Sequence, residues 1–489
     1  TYTVNETVIE AGASAVIVGT EDGGASDLNS DPLVQLAETI LKRTALGYPA
    51  MAAAVFDPEG NYGDEPTNYV DKEDWTITSK DKLKLHAVHY TPENSNDKWV
   101  ILIHGYGNNH TAMYTYAASY LANGYNVLMI DQRAAGESEG TWLTMGAAES
   151  ADVALWTQEI ARRNSNAKIT LHGVSMGAAT AMLAAARSDT KNVTSLVEDC
   201  GYSNVVEIID LFNNLVFNQE QATIDLMLPV SESLTGYNLK DAAPIDSISS
   251  VKVPTLFITG TNDSVVATSM LSALYEASGA EVKETFIVDG ASHALAASVD
   301  PVGYANTVFR FVAEADKEGW NTANETDGIS LRGTSYNDTI VNSGTRVTID
   351  ALGGDDYIVN NVDSSVTTAS LGNSIVAGDG NDTIKNEGAN STIAGGAGND
   401  SITNSADFVS ISAGSGNDTI MAVDDFLSAN DWAMGGYATL LGGAGDEHHA
   451  DGDSLSVGKT VIALYLFDGL PFYDGLHGDR CRGQDMLHF

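Results

Sequence analysis

Cysteine is nearly missing from this chain: among 489 residues there are two, Cys200 and Cys481. Two thiols so far apart give neither a disulfide framework nor the paired spacing of a zinc site. Basic residues are scarce as well, 24 Lys and Arg against 66 Asp and Glu, for a formal charge of −42. That balance argues against nucleic acid or an anionic membrane surface as partner; surplus carboxylate solvates a surface or binds cations. No apolar run reaches the ~18 residues of a membrane span, so no stable membrane insertion is expected. What is present is the composition of a globular protein, 43% apolar with six Trp. The length accommodates two or more domains, each with its own core.

Along the chain, residues 1–70 read as an N-terminal extension. It opens with weak alternation, and a helix is expected from Asp31-Pro32 to about Leu46, with Leu33, Leu36, Ile40 and Leu41 on one face. Residues 71–318 read as a catalytic domain. Strand patterns at Trp75–Thr78, Leu83–Tyr90 and Trp99–His104 lead into alternating helical and strand patterns up to about Phe311. This alternation predicts an α/β fold, a mostly parallel sheet with helices on both faces. Residues 201–250 do not read as sheet. Val205–Phe217 and Ile224–Leu228 are apolar and helical, which suits a small helical cap over the site.

Chemistry concentrates where strands end. The run Ile169–Leu171 passes into Gly173-Val-Ser-Met-Gly177, and the small-residue segment Ala178–Ala186 follows as a helix. A G-x-S-x-G match in this strand–turn–helix context places a serine hydroxyl at the tip of a tight turn. Asp263 follows the strand Pro254–Thr259, and His293 follows Thr285–Val288. Parallel strands present their C-terminal loops on one edge, so the three can meet there. The expected roles are Ser175 as nucleophile, His293 as the base that takes and returns its proton, and Asp263 as the group that fixes the imidazole tautomer. Asp199, also at a strand end, is the alternative acid. The other histidines, including the pair His448-His449, show no metal-ligand spacing.

Five motifs in this order resemble those of bacterial α/β-hydrolases of the esterase and prolyl-oligopeptidase-like group. They are His104-Gly-Tyr-Gly107, Asp131-Gln-Arg-Ala-Ala-Gly-Glu-Ser138, Gly173–Gly177, Gly260-Thr-Asn-Asp263 and Gly290-Ala-Ser-His-Ala294. The resemblance covers about half of the chain, residues 75 to 315. It implies an α/β-hydrolase fold and an oxyanion hole formed by the amides of Tyr106 and Met176. Where relatives often carry D-x-R-G-x-G-x-S, this chain has Ala134-Ala135, a difference expected to touch local packing.

After Trp320 the composition turns to Gly, Asn, Asp, Ser and Thr. Ile340, Ile349 and Ile358 are nine residues apart, and after a slip of one residue the period of nine resumes through Ile375, Ile384, Ile393, Ile402, Ile411 and Ile420. Aspartate loops recur at every second turn, ending in Asp338, Asp356, Asp382, Asp400 and Asp418, whereas the alternate loops at Asn373, Ser391 and Val409 lack aspartate. Residues 395–403, G-G-A-G-N-D-S-I-T, match the nonapeptide of calcium-binding β-rolls. Residues 328–450 thus resemble the repeats of RTX-type (hemolysin-type) secreted proteins, which implies an all-β parallel β-roll. Its structural Ca²⁺ would be held by those five aspartates on one edge only, the Asp338 loop being the weaker because Tyr336 stands where glycine is usual. Eleven acidic and three basic residues between Leu331 and Ile420 make folding without cation unfavourable. Residues 451–489, with a strand at Val461–Phe467, occupy the place of the uncleaved type I secretion signal in such relatives.

Together these readings give a secreted bacterial serine hydrolase. It would act on a small-molecule or lipid ester, with no cofactor in catalysis and type I secretion machinery as a partner. A lipase, a peptidase and a non-catalytic calcium-dependent surface protein remain the alternatives.

Overall fold

The computed structural model describes residues 63–212 except 95, residues 228–362 except 229 and 234, residues 372–423 except 407, and two short strands at 439–441 and 461–465. The helix expected within residues 31–46, the cap segment 213–227 and the altered repeat at 442–447 lie outside the described residues. Contacts divide the chain into two units, Thr1–Val308 and Phe309–Phe489.

The first unit is built on an eight-stranded sheet in the order β1-β2-β4-β3-β5-β6-β7-β8. Strands β1 (Asp71–Thr78) and β2 (Lys84–Thr91) run antiparallel, as do β2 and β4 (Asn126–Ile130). From β4 onward every pairing is parallel, through β3 (Lys98–Ile103), β5 (Lys168–Val174), β6 (Val193–Asp199), β7 (Thr255–Gly260) and β8 (Lys283–Val288). The central strands are covered on both faces, which is why KWVILI and NVLMI read as continuous apolar runs rather than alternations. Odd-numbered side chains of β3 and β5 (Trp99, Ile101, Ile103, Ile169, Leu171) join Trp75, Trp156 and Phe257 in one buried cluster. Two central residues of that cluster, Trp156 and Ile160, come from helix α2 (Glu149–Arg163), which follows helix α1 (Tyr114–Ala122) in the chain.

Helix α3 (Met176–Ala185) consists mostly of small residues and is buried on nearly all sides. Such a helix can approach a sheet closely, and here the approach has a measurable cost for any side chain. A Cβ on Gly177 would lie 2.0 Å from the Ile103 carbonyl oxygen, and one on Gly173 would lie 2.1 Å from that of Gly177. Both outer glycines of the motif are therefore steric requirements. Helix α4 (Val205–Phe212), helical residues at 228, 230–233 and 235, and three 3₁₀ turns between Leu239 and Ser250 are the regular structure described in segment 201–250, which contains no strand among the described residues. Helices α5 (Thr268–Ala277), α6 (Ala296–Val299) and α7 (Pro301–Asp316) complete the series, and the division between the units falls within α7.

The second unit winds between two all-parallel sheets. One holds β10 (Ser330–Arg332), β12 (Thr348–Asp350), β14 (Ser374–Asp379), β16 (Thr392–Ala397), β18 (Ser410–Ser415) and β20 (Thr439–Leu441) in that order. The other holds β9 (Asn321–Asn324), β11 (Thr339–Asn342), β13 (Tyr357–Asn360), β15 (Thr383–Asn386), β17 (Ser401–Asn404), β19 (Thr419–Val423) and β21 (Val461–Tyr465), so consecutive strands alternate between sheets and two strands make one coil. In β11 (Thr339–Asn342), β15 (Thr383–Asn386), β16 (Thr392–Ala397) and β17 (Ser401–Asn404) the burial pattern alternates, and the isoleucines are fully enclosed. Their registers stack Ile340 on Ile358, Ile384 on Ile402 and Ile375 on Ile393. This is the expected thin core.

Three features differ from the sequence reading. Ile349 pairs with Ile375 and Ile358 with Ile384, 26 residues on instead of 18. The slip is thus not a further pair of repeats; the extra residues lie between β13 (Tyr357–Asn360) and β14 (Ser374–Asp379). Strand β9 (Asn321–Asn324) opens the sheets ahead of residue 328. Strand β21 (Val461–Tyr465), assigned above to the C-terminal tail, pairs in parallel with β19 (Thr419–Val423) as a member of the roll.

The alternate edge carries an arrangement the sequence reading missed. Asn324, Asn342, Asn360, Asn386 and Asn404 each follow the inward residue by two and so point inward themselves. The Nδ2 of each of the first four donates to the Oδ1 of the next at 2.6–2.9 Å, a ladder running coil to coil, and that of Asn404 donates to the Ala406 carbonyl. On this edge neutral amides satisfy one another.

Candidate active site and candidate cation edge

The turn between β5 and α3 holds Ser175 at φ 57° and ψ −120°, a conformation an L-residue adopts only under constraint. The constraint comes from the Asp199 carbonyl, which accepts the Ser175 amide at 2.8 Å, and from the glycine contacts on either side. Asp263 and His293 sit in the loops after β7 and β8. These loops meet closely because residue 260 is glycine: a Cβ there would lie 2.1 Å from the Ala291 carbonyl oxygen.

The structure brings the three residues together. His293 Nε2 lies 2.8 Å from Ser175 Oγ, and Nδ1 lies 2.8 Å from Asp263 Oδ2. The other Asp263 oxygen accepts the amides of Val265 and Val266 at 2.9 and 2.8 Å, which fixes the carboxylate plane. A carboxylate can only accept here, so Nδ1 donates to it. Nε2 is left as the acceptor for the serine proton.

Met176 opens helix α3, and its amide is one of the first-turn donors that no intrahelical carbonyl reaches. Gly105, the residue before Tyr106, lies against Ser175: its Cβ would stand 3.3 Å from Ser175 Cβ. Residues the sequence reading passed over hold this loop. His104 Nδ1 lies 2.8 Å from the Gly105 carbonyl, its Nε2 accepts the Gln132 amide at 3.1 Å, and the Gln132 side chain donates to the His104 carbonyl at 2.7 Å. Burial lowers His104 to about 4, so the ring is neutral with its proton on Nδ1, as these contacts need.

Asp131 anchors the neighbouring loop. Its carboxylate takes four N–H donors: the rings of His86 and His110 and the amides of His110 and Glu137, at 2.8–2.9 Å. A Cβ on Gly136 would strike that carboxylate at 2.3 Å. Ala134 has φ 58°, in the left-handed region, which explains why glycine is common at this position in the resembling family.

Around Met176 lies a buried apolar cluster with Ala179, Tyr202, Val205, Ile208, Val230 and Val266. Partly exposed side chains, among them Tyr106, Trp142, Leu143, Ile209 and Val265, pack against it. Asp199, the alternative acid, contacts neither His293 nitrogen in the pairs above. It is fully buried and held up to about 6, first by burial and then by Asp263, against the opposing influence of Tyr304 and His293.

In the second unit the aspartate loops stack on one edge. The amides of Asp338, Asp356, Asp382 and Asp400 donate to Oδ1 of Asp356, Asp382, Asp400 and Asp418 at 2.8–3.0 Å. The Oδ2 atoms of Asp356, Asp382, Asp400 and Asp418 are buried with no hydrogen-bond partner among the described residues. A buried carboxylate oxygen without a donor calls for a proton or a cation. Asp338 differs: Trp320 and Thr334 donate to its oxygens at 2.6–2.8 Å, so protein groups already satisfy it. Burial, with Asp338, Asp382 and Asp355 adding repulsion, pushes Asp356 up to about 8; burial and the flanking Asp382 and Asp418 push Asp400 to about 6. Four hard oxygen donors with open valence fit a hard divalent cation such as Ca²⁺.

Residues 98–225 match the family model described as alpha/beta hydrolase fold. The chain is 25% identical over 257 residues to the uncharacterized protein YqkD of Bacillus subtilis, which covers 51% of this chain and 81% of that protein. Among solved structures it is similar to the Pyrococcus furiosus esterase Pf2001, at 24% identity with a TM-score of 0.42 over 50% of this chain and 92% of that one. It is also similar to the Pyrococcus horikoshii acylaminoacyl peptidase, at 18% identity with a TM-score of 0.41 over 51% of this chain and 42% of that one. The N-terminal part of this chain has the α/β-hydrolase fold, and all-parallel β-sheets in a roll-like winding follow it.

Proposed function

We propose that this protein is a secreted serine hydrolase that cleaves carboxylic esters through an acyl-enzyme. The observation that carries the reading is the unbroken line from Ser175 Oγ through His293 to Asp263, 2.8 Å at each step. His293 removes the Ser175 proton as Oγ attacks the ester carbonyl, and the negative charge that forms on oxygen meets the Tyr106 and Met176 amides. Each such donor is worth about 3–4 kcal/mol at the transition state. The imidazolium, steadied by Asp263, returns the proton to the leaving alcohol. Water, activated by the same imidazole, then releases the acid. The apolar surroundings of Met176, among them Val205, Ile208 and Val266, favour an apolar acyl or alcohol group.

For the second unit the reading is a Ca²⁺-loaded roll. Asp356, Asp382, Asp400 and Asp418 would supply the ligands, and Asp338 would serve as a structural cap. Bound Ca²⁺ would neutralise the stacked carboxylates and take no part in catalysis. Extracellular modules of this kind bind at ~10⁻⁴–10⁻³ M, which suits a protein that folds this unit only after export, by a type I route in bacteria.

Hydrolysis of p-nitrophenyl esters of increasing chain length, together with fluorophosphonate labelling of Ser175, tests the catalytic reading. A maximum at short chains supports a carboxylesterase, and activity that rises to long chains makes it a lipase. Labelling without ester turnover would point to a peptidase. A wild-type protein that neither labels nor turns over any ester would make the domain non-catalytic.

A further inference from the structure

Behind the catalytic line lies a second carboxylate with a supporting file of its own. Asp199 ends β6, and its Oδ2 accepts from the Tyr304 hydroxyl at 2.8 Å while its Oδ1 is buried with no hydrogen-bond partner among the described residues. The Tyr304 oxygen lies 3.0 Å from Nε2 of His172, and Nδ1 of that ring lies 3.1 Å from the Tyr120 hydroxyl. All four residues are buried.

With Asp199 ionised, one arrangement of protons satisfies this file. Burial lowers His172 to about 3, so the ring is neutral and carries a single N–H. Tyr304 donates its own proton to Asp199 and must accept from Nε2–H, which leaves Nδ1 to accept from Tyr120. Every dipole then points toward Asp199. Such chains polarise one another and favour the ionised form of the group on which they end.

The remaining groups that face Asp199 are Glu198, Cys200, Asp263 and His293. Burial pushes the Glu198 carboxyl well above the usual carboxylate range, and its Oε2 accepts the Gly201 amide at 2.7 Å. Burial likewise keeps the Cys200 thiol protonated. Its sulfur lies within 4.8 Å of both an Asp263 oxygen and a His293 nitrogen, so the residue that follows Asp199 in the chain borders the pair. Of the charged groups here, Asp263 opposes a charge on Asp199 and a protonated His293 favours it.

Building on the serine-hydrolase reading above, we propose that Asp199 is a positioning residue for the same reaction: a second carboxylate, held by the Tyr304–His172–Tyr120 file, whose charge supports the His293 imidazolium alongside Asp263.

The test uses the full chain in calcium-containing buffer, with kcat/KM for p-nitrophenyl butyrate followed across pH and active sites counted by fluorophosphonate. Asp199→Asn should lower the midpoint of the acid limb, which reports His293, by about half to one pH unit, because an imidazolium that loses a nearby negative charge gives up its proton more readily. Tyr304→Phe should move it less, in the same direction. Asp263→Asn should retain roughly ten to a hundred times the activity of the Asp199→Asn/Asp263→Asn pair, which should reach the ~10⁴-fold loss known for removing a triad acid. An acid limb that Asp199→Asn leaves in place, or an Asp263→Asn enzyme as inactive as the double variant, overturns the proposal. Should Asp199→Asn not fold, Tyr304→Phe decides: a lowered limb supports the proposal and an unmoved one overturns it. An unlabelled wild-type Ser175 would overturn the serine-hydrolase reading and this proposal with it; a labelled, active enzyme with an unmoved limb overturns the proposal alone.

Discussion

Ser175 at φ 57° and Ala134 at φ 58° are both held where L-residues pay in backbone strain, and the two have opposite worth. The strain at Ser175 aims a hydroxyl. Ser175→Ala should lower kcat by about 10⁶, by analogy with loss of a serine nucleophile in other triad enzymes, and ester turnover measured against labelled wild type checks it. The strain at Ala134, whose side chain is a methyl, aims no reactive group. Ala134→Gly should stabilise the catalytic unit by about 0.5–1 kcal/mol, the left-handed penalty relieved less the greater freedom of glycine when unfolded. A thermal midpoint that fails to rise would refute this. At this scale the sequence was informative wherever backbone sterics demanded a residue type: Gly173, Gly177 and Gly260 are necessities that any reader of motifs can find. His104 and Gln132 were not legible, because their roles depend on side chains meeting across the ends of β3 and β4. Asp338 was read as the weaker ligand because Tyr336 stands in its loop where glycine is usual, and spacing does not locate the Trp320 and Thr334 donors that meet its carboxylate.

The roll shows what a period can and cannot convey at the scale of elements. Nine-residue spacing of isoleucine is a statement about which side chains point inward, and the strands follow it. The inward asparagines were overlooked because a polar residue in an alternating pattern is usually read as outward; only the stacked coils show each amide meeting its neighbour. Asn386→Ala would break the ladder on both sides and should cost about 2–3 kcal/mol in saturating calcium, the order expected for buried amides left without partners, measured as a shift in denaturant midpoint. The aspartate edge makes a pH prediction of definite sign. Asp356 is held at about 8 in the folded, cation-free roll against an ordinary value of 3.8, so the folded state binds the extra proton. That stability is fully present below the ordinary value and is lost as pH rises through about 8; Asp400 adds a narrower window that closes near 6. In chelator, the roll should therefore melt at higher temperature at pH 5 than at pH 8. Calcium should remove most of the difference, because the cation replaces the proton. Circular dichroism melting at the two pH values would show it, and an inverted order would refute the account of the orphaned oxygens.

As a whole molecule, the protein keeps two separate cores of different kinds. The tryptophan- and isoleucine-rich cluster of the first unit buries large side chains between sheet and helices, whereas the second has a single file of isoleucines on each sheet. Calorimetry should resolve two transitions, of which only the one from the roll moves with calcium. A single transition insensitive to chelator would contradict this division. The charge of −42 belongs to this scale as well, since the cations proposed for the roll would offset part of it. The two edges of the roll then have unequal fates when calcium is withdrawn. The asparagine edge is stitched by neutral amides that need no ion, and the aspartate edge is a column of like charges. Without its ions the roll has the mechanics of a book bound along one spine, with its pages free to fan apart on the other side. Amide protons near Asn342, Asn360 and Asn386 should still exchange slowly after those near Asp382 and Asp400 have been lost to solvent, so the partly opened molecule has one protected side and one adhesive side.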